Sequence, residues 1–136
     1  MKRNATAVWQ GTGKEGKGHL TTQSTTLDKT QYSFKSRFEE GIGTNPEELV
    51  AAAHAGCFTM KLSFILQEGS FTADNIETKC DIDFVDGAIV SSHLTVNASI
   101  PNITKEQFDA AVTNAKENCP ISKLYNTNIT AEATLA

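Results

Sequence analysis

Polar and apolar positions alternate through the first third of the chain, give way to a nearly unbroken apolar stretch, and alternate again in the second half. Segments 5–9 (ATAVW), 19–27 (HLTTQSTTL) and 32–38 (YSFKSRF) predict three strands. The second is rich in β-branched threonine, and the third sets Tyr32 and Phe34 between polar residues. The glycines of GTGKEGKG permit a tight turn, and EEGIGTN reads as loop.

The helix beginning near Asn45 is the clearest element. Asn45 suits the cap, Pro46 the first helical position, and Glu48 stands where a capping box needs it. Glu47 and Glu48 also sit at the positive end of the helix dipole. From Leu49 to Leu66 the only charge is Lys61, and a helix apolar nearly all round is expected to be buried. Ala51, Ala52, Ala53, Ala55 and Gly56 would let another backbone approach closely, within the chain or across a subunit boundary.

Beyond QEGSF the period returns to two. NIETKCDIDFV puts Ile76, Thr78, Cys80, Ile82 and Phe84 on one strand face, and AIVSSHLTVNASI (88–100) follows an Asp86-Gly87 hairpin turn. Thr104 with Gln107 forms a second capping box, ahead of an apolar stripe of Phe108, Ala111, Val112 and Ala115. Pro120 ends that helix or starts a short new one, and NITAEATL closes as a strand. The order β-β-β-α-β-β-α-β predicts an α+β fold, with helices on one side of largely antiparallel sheet and a long buried central helix.

Length and charge narrow the partners. The 136 residues suit one domain, 1–136. A net charge of −4 argues against nucleic acid or an anionic membrane as partner. No signal-peptide pattern is present, and no run approaches the ~18 apolar residues of a membrane span. The chain is therefore expected to be cytoplasmic. Cys57, Cys80 and Cys119 are odd in number and lack a CxxC spacing, so neither a secreted disulfide framework nor a zinc ribbon is indicated.

Each thiol has a plain and a chemical reading. Cys80 alternates with Ile and Phe on a strand face, where cysteine behaves as a small hydrophobe. Cys57 is either a core cysteine of an apolar helix or a thiol activated by a nearby charge such as Arg37. Cys119 is either an ordinary loop residue or a resolving partner that condenses with an oxidised Cys57. His54 lies one helical turn before Cys57 and is either its base or a residue with a structural hydrogen bond. No further ligands accompany it, so no metal is expected.

Arg37-Phe38, the run GTNPEELVAAAHAGCF and the later Cys119-Pro120 together resemble the OsmC/Ohr family, specifically its OsmC branch. The resemblance spans essentially the whole chain. It implies a peroxidase that reduces organic hydroperoxides with paired thiols, built as an intertwined homodimer. Cys57 would be the peroxidatic cysteine, Cys119 the resolving one, Arg37 the arginine that contacts the reactive thiol and Glu47 the carboxylate that orients it. The first loop offers only lysines where the Ohr branch draws its arginine, which favours the OsmC branch. No cofactor is implied beyond an external dithiol reductant of lipoyl type. Cys80 receives no role.

Glu47 and Cys57 are ten residues apart, about 15 Å along a straight helix. One guanidinium cannot touch both, so if Arg37 bridges them the two must come from different chains or the helix must break. Two other readings remain: a Cys57/His54 hydrolase, and a non-enzymatic stress-response ligand-binding protein with inert thiols.

Overall fold

The computed structural model describes residues 1–136. The internal packing falls into two compact units, Met1–Leu49 and Val50–Ala136. In the first, β1 (Ala5–Gln10), β2 (Lys17–Thr22) and β3 (Thr30–Tyr32) form an antiparallel sheet in that order. Trp9 and Tyr32 bring their rings to 5.3 Å across Gly18. A Cβ there would meet both rings at 2.5 Å, so glycine is required by close approach.

Two strand expectations fail here, each for a local reason. β2 stops at Thr22 and not at residue 27, because hydroxyls satisfy the backbone locally. Thr22 Oγ1 accepts from the Leu27 N–H at 3.1 Å, and Ser24 Oγ bonds Thr26 Oγ1 at 3.1 Å. Segment 32–38 is mostly a helix, α1 (Phe34–Phe38). Ser33 Oγ accepts from the Ser36 N–H at 3.2 Å, and Ser36 Oγ accepts from the Ser33 N–H at 2.8 Å. This serine-serine capping box starts a turn in which the rings of Phe34 and Phe38, four residues apart, pack tilted at 4.9 Å.

The long helix α2 (Pro46–Glu68) runs unbroken for 23 residues. Asn45 Oδ1 accepts from the Glu48 N–H at 2.8 Å. The Glu48 carboxylate takes the Thr44 hydroxyl, so only half of the expected box has the expected partners. Asn45 Nδ2 donates to the Ser36 carbonyl at 3.0 Å, tying the helix start to α1.

The second unit holds β4 (Asn75–Val85), β5 (Ala88–Ser99), α3 (Lys105–Asn118), α4 (Pro120–Leu124) and β6 (Asn128–Leu135). β4 and β5 form a hairpin through Asp86 and Gly87, both at positive φ (50° and 83°), as the turn requires. β6 returns parallel to β5 by way of α3 and α4. Thr104 and Gln107 make the expected capping box. Leu94, Val96 and Ala98 of β5 meet Phe58, Leu62 and Leu66 of α2 and Phe108, Ala111, Val112 and Ala115 of α3 in one core.

α2 is not buried all round in the single chain. Its buried stripe is His54, Phe58, Leu62 and Leu66, at four-residue spacing. Met60 and Phe64 on another face are 64% and 54% exposed. The absence of a bilayer-length segment also needs correction. α2 is long and apolar enough to cross a membrane, although Lys61 and several polar residues interrupt the run. Its stripe nevertheless packs into a protein core, as a core helix does.

Candidate active site

The four residues singled out from the sequence come together as two pairs. Arg37 of α1 and Glu47 of α2 form a fork, with Nη2 to Oε1 at 2.5 Å and Nε to Oε2 at 3.3 Å. The guanidinium also lies 4.9 Å from the Phe38 ring centroid. The hydrogen bond to Arg37 holds the Glu47 carboxyl below its ordinary range, and the same bond raises Arg37. The capping box of α1 sets the helix that carries Arg37.

Cys57 and Cys119 meet at 2.8 Å between sulfurs, although 62 residues separate them. Both are free thiols, and Cys119 is fully buried. Burial pushes the Cys57 thiol up, and the contact with Cys119 adds to this. A hydrogen bond from the backbone N–H of Ile121 opposes it. None of these influences carries a positive charge. An open cavity of about 290 Å³ adjoins Cys57, lined also by Met60, Lys61, Phe64, Asn118 and Pro120. Its walls are mostly apolar side chains.

His54 is fully buried, with Nδ1 2.6 Å from Ser92 Oγ and Nε2 2.8 Å from Ser122 Oγ. Both ring nitrogens are thus taken by hydroxyls, and the imidazole is not placed as a base for Cys57. Cys80 contacts the same Ser92 hydroxyl at 3.2 Å, and burial raises its thiol. No group of three or more His, Cys, Asp or Glu side chains forms a metal-holding cluster. Sequence reasoning missed Ser92, Ser122 and the Ile121 N–H. A lone serine in a strand or a short helix carries no pattern, and a backbone donor carries no residue type.

The OsmC-like protein family model matches residues 39–134. The chain is also 41% identical over 136 aligned residues to peroxiredoxin OsmC of Escherichia coli, covering 97% of this chain and 95% of that one. It belongs to the OsmC-like family. The organic hydroperoxide resistance protein OhrB of Bacillus subtilis is 32% identical over 116 residues, with 82% and 84% of the two chains covered. The OhrB crystal structure aligns over 98% of each chain with a TM-score of 0.64 and 26% identity. An OsmC-like protein of Mycoplasma pneumoniae aligns over 100% of this chain and 98% of its own at a TM-score of 0.79 and 12% identity, a likeness of fold. The α+β architecture, with one antiparallel and one mixed sheet, is thus that of the OsmC-like family.

Proposed function

We propose that the protein is a thiol peroxidase that reduces organic hydroperoxides to alcohols. The observation that carries this reading is the meeting of Cys57 and Cys119 at 2.8 Å beside an apolar, open cavity. The names of the OsmC and OhrB relatives support a peroxide-linked redox role. The Cys57 thiolate attacks the terminal peroxide oxygen; the O–O bond breaks and the alkoxide leaves as the alcohol after taking a proton. The resulting sulfenic acid condenses with the Cys119 thiol. An S–S bond forms, the S–O bond breaks and water departs. An external dithiol, with the lipoyl type as the expected class, then reduces the disulfide and is itself oxidised. Met60, Phe64 and Pro120 offer the organic tail an apolar wall, which favours bulky peroxides over hydrogen peroxide.

Arg37 stabilises both the thiolate and the charge developing on the peroxide oxygens, and Glu47 keeps its planar guanidinium aimed. α2 is unbroken between Glu47 and Cys57, so the Arg37–Glu47 fork acts on the Cys57 of a second copy. The exposed small and apolar face of α2, with Gly56, Met60 and Phe64, is the surface through which the two copies cross. The functional unit is accordingly a homodimer, at home in a reducing cytoplasm.

The test is one equivalent of cumene hydroperoxide added to the reduced protein, followed by intact mass. Wild type is expected to lose two hydrogens, Cys119→Ser to gain one oxygen, and Cys57→Ser to stay unchanged. A folded wild type that does not react would defeat the proposal.

A further inference from the structure

We infer that His54 and Ser122 form a buried clamp that fixes the resolving arm of the site, acting as positioning residues for closure of the Cys57–Cys119 bond. This rests on the peroxidase reading above. Helix α4 spans only Pro120–Leu124. A helix of one turn and a fraction does not hold itself in place. Yet everything that reaches Cys57 from this side depends on it: Cys119 is its N-cap, and Ile121 supplies the backbone N–H on the Cys57 sulfur. The next residue, Ser122, is bonded by His54 Nε2 at 2.8 Å.

His54 precedes Cys57 by three residues on α2, so one helical turn offers two adjacent grips on α4: imidazole on hydroxyl, and thiol on thiol. The ring is held in turn. Its Nδ1 meets Ser92 of β5 at 2.6 Å, and that hydroxyl also meets Cys80 at 3.2 Å. Tyr125, the C-cap of α4, stands edge-on to the imidazole at 5.1 Å and donates its hydroxyl to the Val50 carbonyl at 2.8 Å. Both ends of α4 are thereby tied to α2, and the histidine is tied to the sheet. His54 and Ser92 are fully buried and Ser122 nearly so, so water does not replace a lost partner.

The chemistry gives the clamp its purpose. In the closing step the Cys119 sulfur attacks the Cys57 sulfenic sulfur, and hydroxide leaves with the Cys119 proton as water. A second hydroperoxide competes for the same sulfenic acid, oxidising it irreversibly to sulfinic acid while becoming the alcohol. Which path wins depends on how well Cys119 is aligned, and a misplacement of about 1 Å is enough to cost ~100-fold.

The experiment titrates reduced wild type, Ser122→Ala, Ser122→Thr, His54→Gln and Ser92→Ala with excess cumene hydroperoxide and reads the sulfinate-to-disulfide ratio by intact mass. Ser122→Ala and His54→Gln should raise the ratio about tenfold or more. Ser122→Thr, which keeps the hydroxyl, should stay near wild type. Ser92→Ala removes the other partner of the same imidazole but leaves the grip on α4. It should lower Tm much as Ser122→Ala does, with a smaller rise in the ratio. A ratio within twofold of wild type in whichever of Ser122→Ala and His54→Gln folds overturns the clamp. So does an equal rise in Ser92→Ala and Ser122→Ala, which would mark general loosening of the core. A wild type that yields neither product defeats the peroxidase reading instead.

Discussion

Arg37 and Glu47 meet in the first unit as a charged, partly exposed fork, whereas Cys57 and Cys119 meet in the second as free thiols, one half-buried and one fully buried. The difference is one of complementary deficits. Burial raises the Cys57 thiol, and a raised thiol is a poor nucleophile near neutral pH. The guanidinium carries the charge that would correct this and is already aimed by a bidentate carboxylate. On the proposed reading, the Arg37 of a second copy would bring that missing charge to the thiol.

The largest effect is expected at the nucleophile: Cys57→Ser should abolish hydroperoxide consumption, measured as cumene hydroperoxide lost per minute. Arg37→Met, which removes the charge but keeps the stem, should lower kcat/KM about 100- to 1,000-fold, the usual cost of losing a donor aimed at developing negative charge. Its peroxidase rate should also keep rising to higher pH than wild type, since the Cys57 thiol then lacks its counter-charge.

The surface between the copies is probed at Gly56, where an added Cβ meets nothing within 4 Å. In a lone chain a larger residue there should be stabilising by up to about 1 kcal/mol through helix propensity. In crossed helices it blocks contact, so Gly56→Leu should elute as a monomer and lose most activity. A dimeric, fully active Gly56→Leu would put the interface elsewhere. Glu47→Gln, which keeps the shape of the fork but not its charge, should cost about tenfold in kcat/KM by loosening the arginine.

The smallest effect concerns pH and the thiol unit alone. Burial lowers the His54 pKa in the folded chain. Below its ordinary value of about 6.5 the unfolded chain therefore binds the extra proton, and stability falls as pH drops through that range. One such group gives a slope no steeper than about 1.4 kcal/mol per pH unit. Urea unfolding between pH 7.5 and 5 should show that slope in wild type and lack it in His54→Gln.

Much of this arrangement was legible in the chain. The caps at Asn45 and Thr104, the alternation through Ile76 to Phe84 and the Asp86-Gly87 turn are local signals, and the structure forms each element they announce. Segment 32–38 was misread because Phe34 and Phe38 satisfy strand alternation and helical spacing alike, and the Ser33–Ser36 capping box decided between them. Residues 19–27 were misread because threonine favours strands while its hydroxyl also favours turns. The four candidate residues were singled out through a family pattern. The hydroxyls that hold His54 were not, since their partners lie 38 and 68 residues away in sequence.

If the two pairs are halves of one site contributed by different copies, mixing subunits restores what each variant alone lacks. Cys57→Ser and Arg37→Met, each inactive or nearly so alone, are unfolded together in equal amounts, refolded, and assayed with cumene hydroperoxide. Random pairing makes half the dimers hybrid, each with one site that joins an intact Cys57 to an intact Arg37, so activity should return to about a quarter of wild type. Activity no higher than the mean of the separate variants, with hybrid dimers present by native mass, would contradict the account and place both pairs of each working site within one chain.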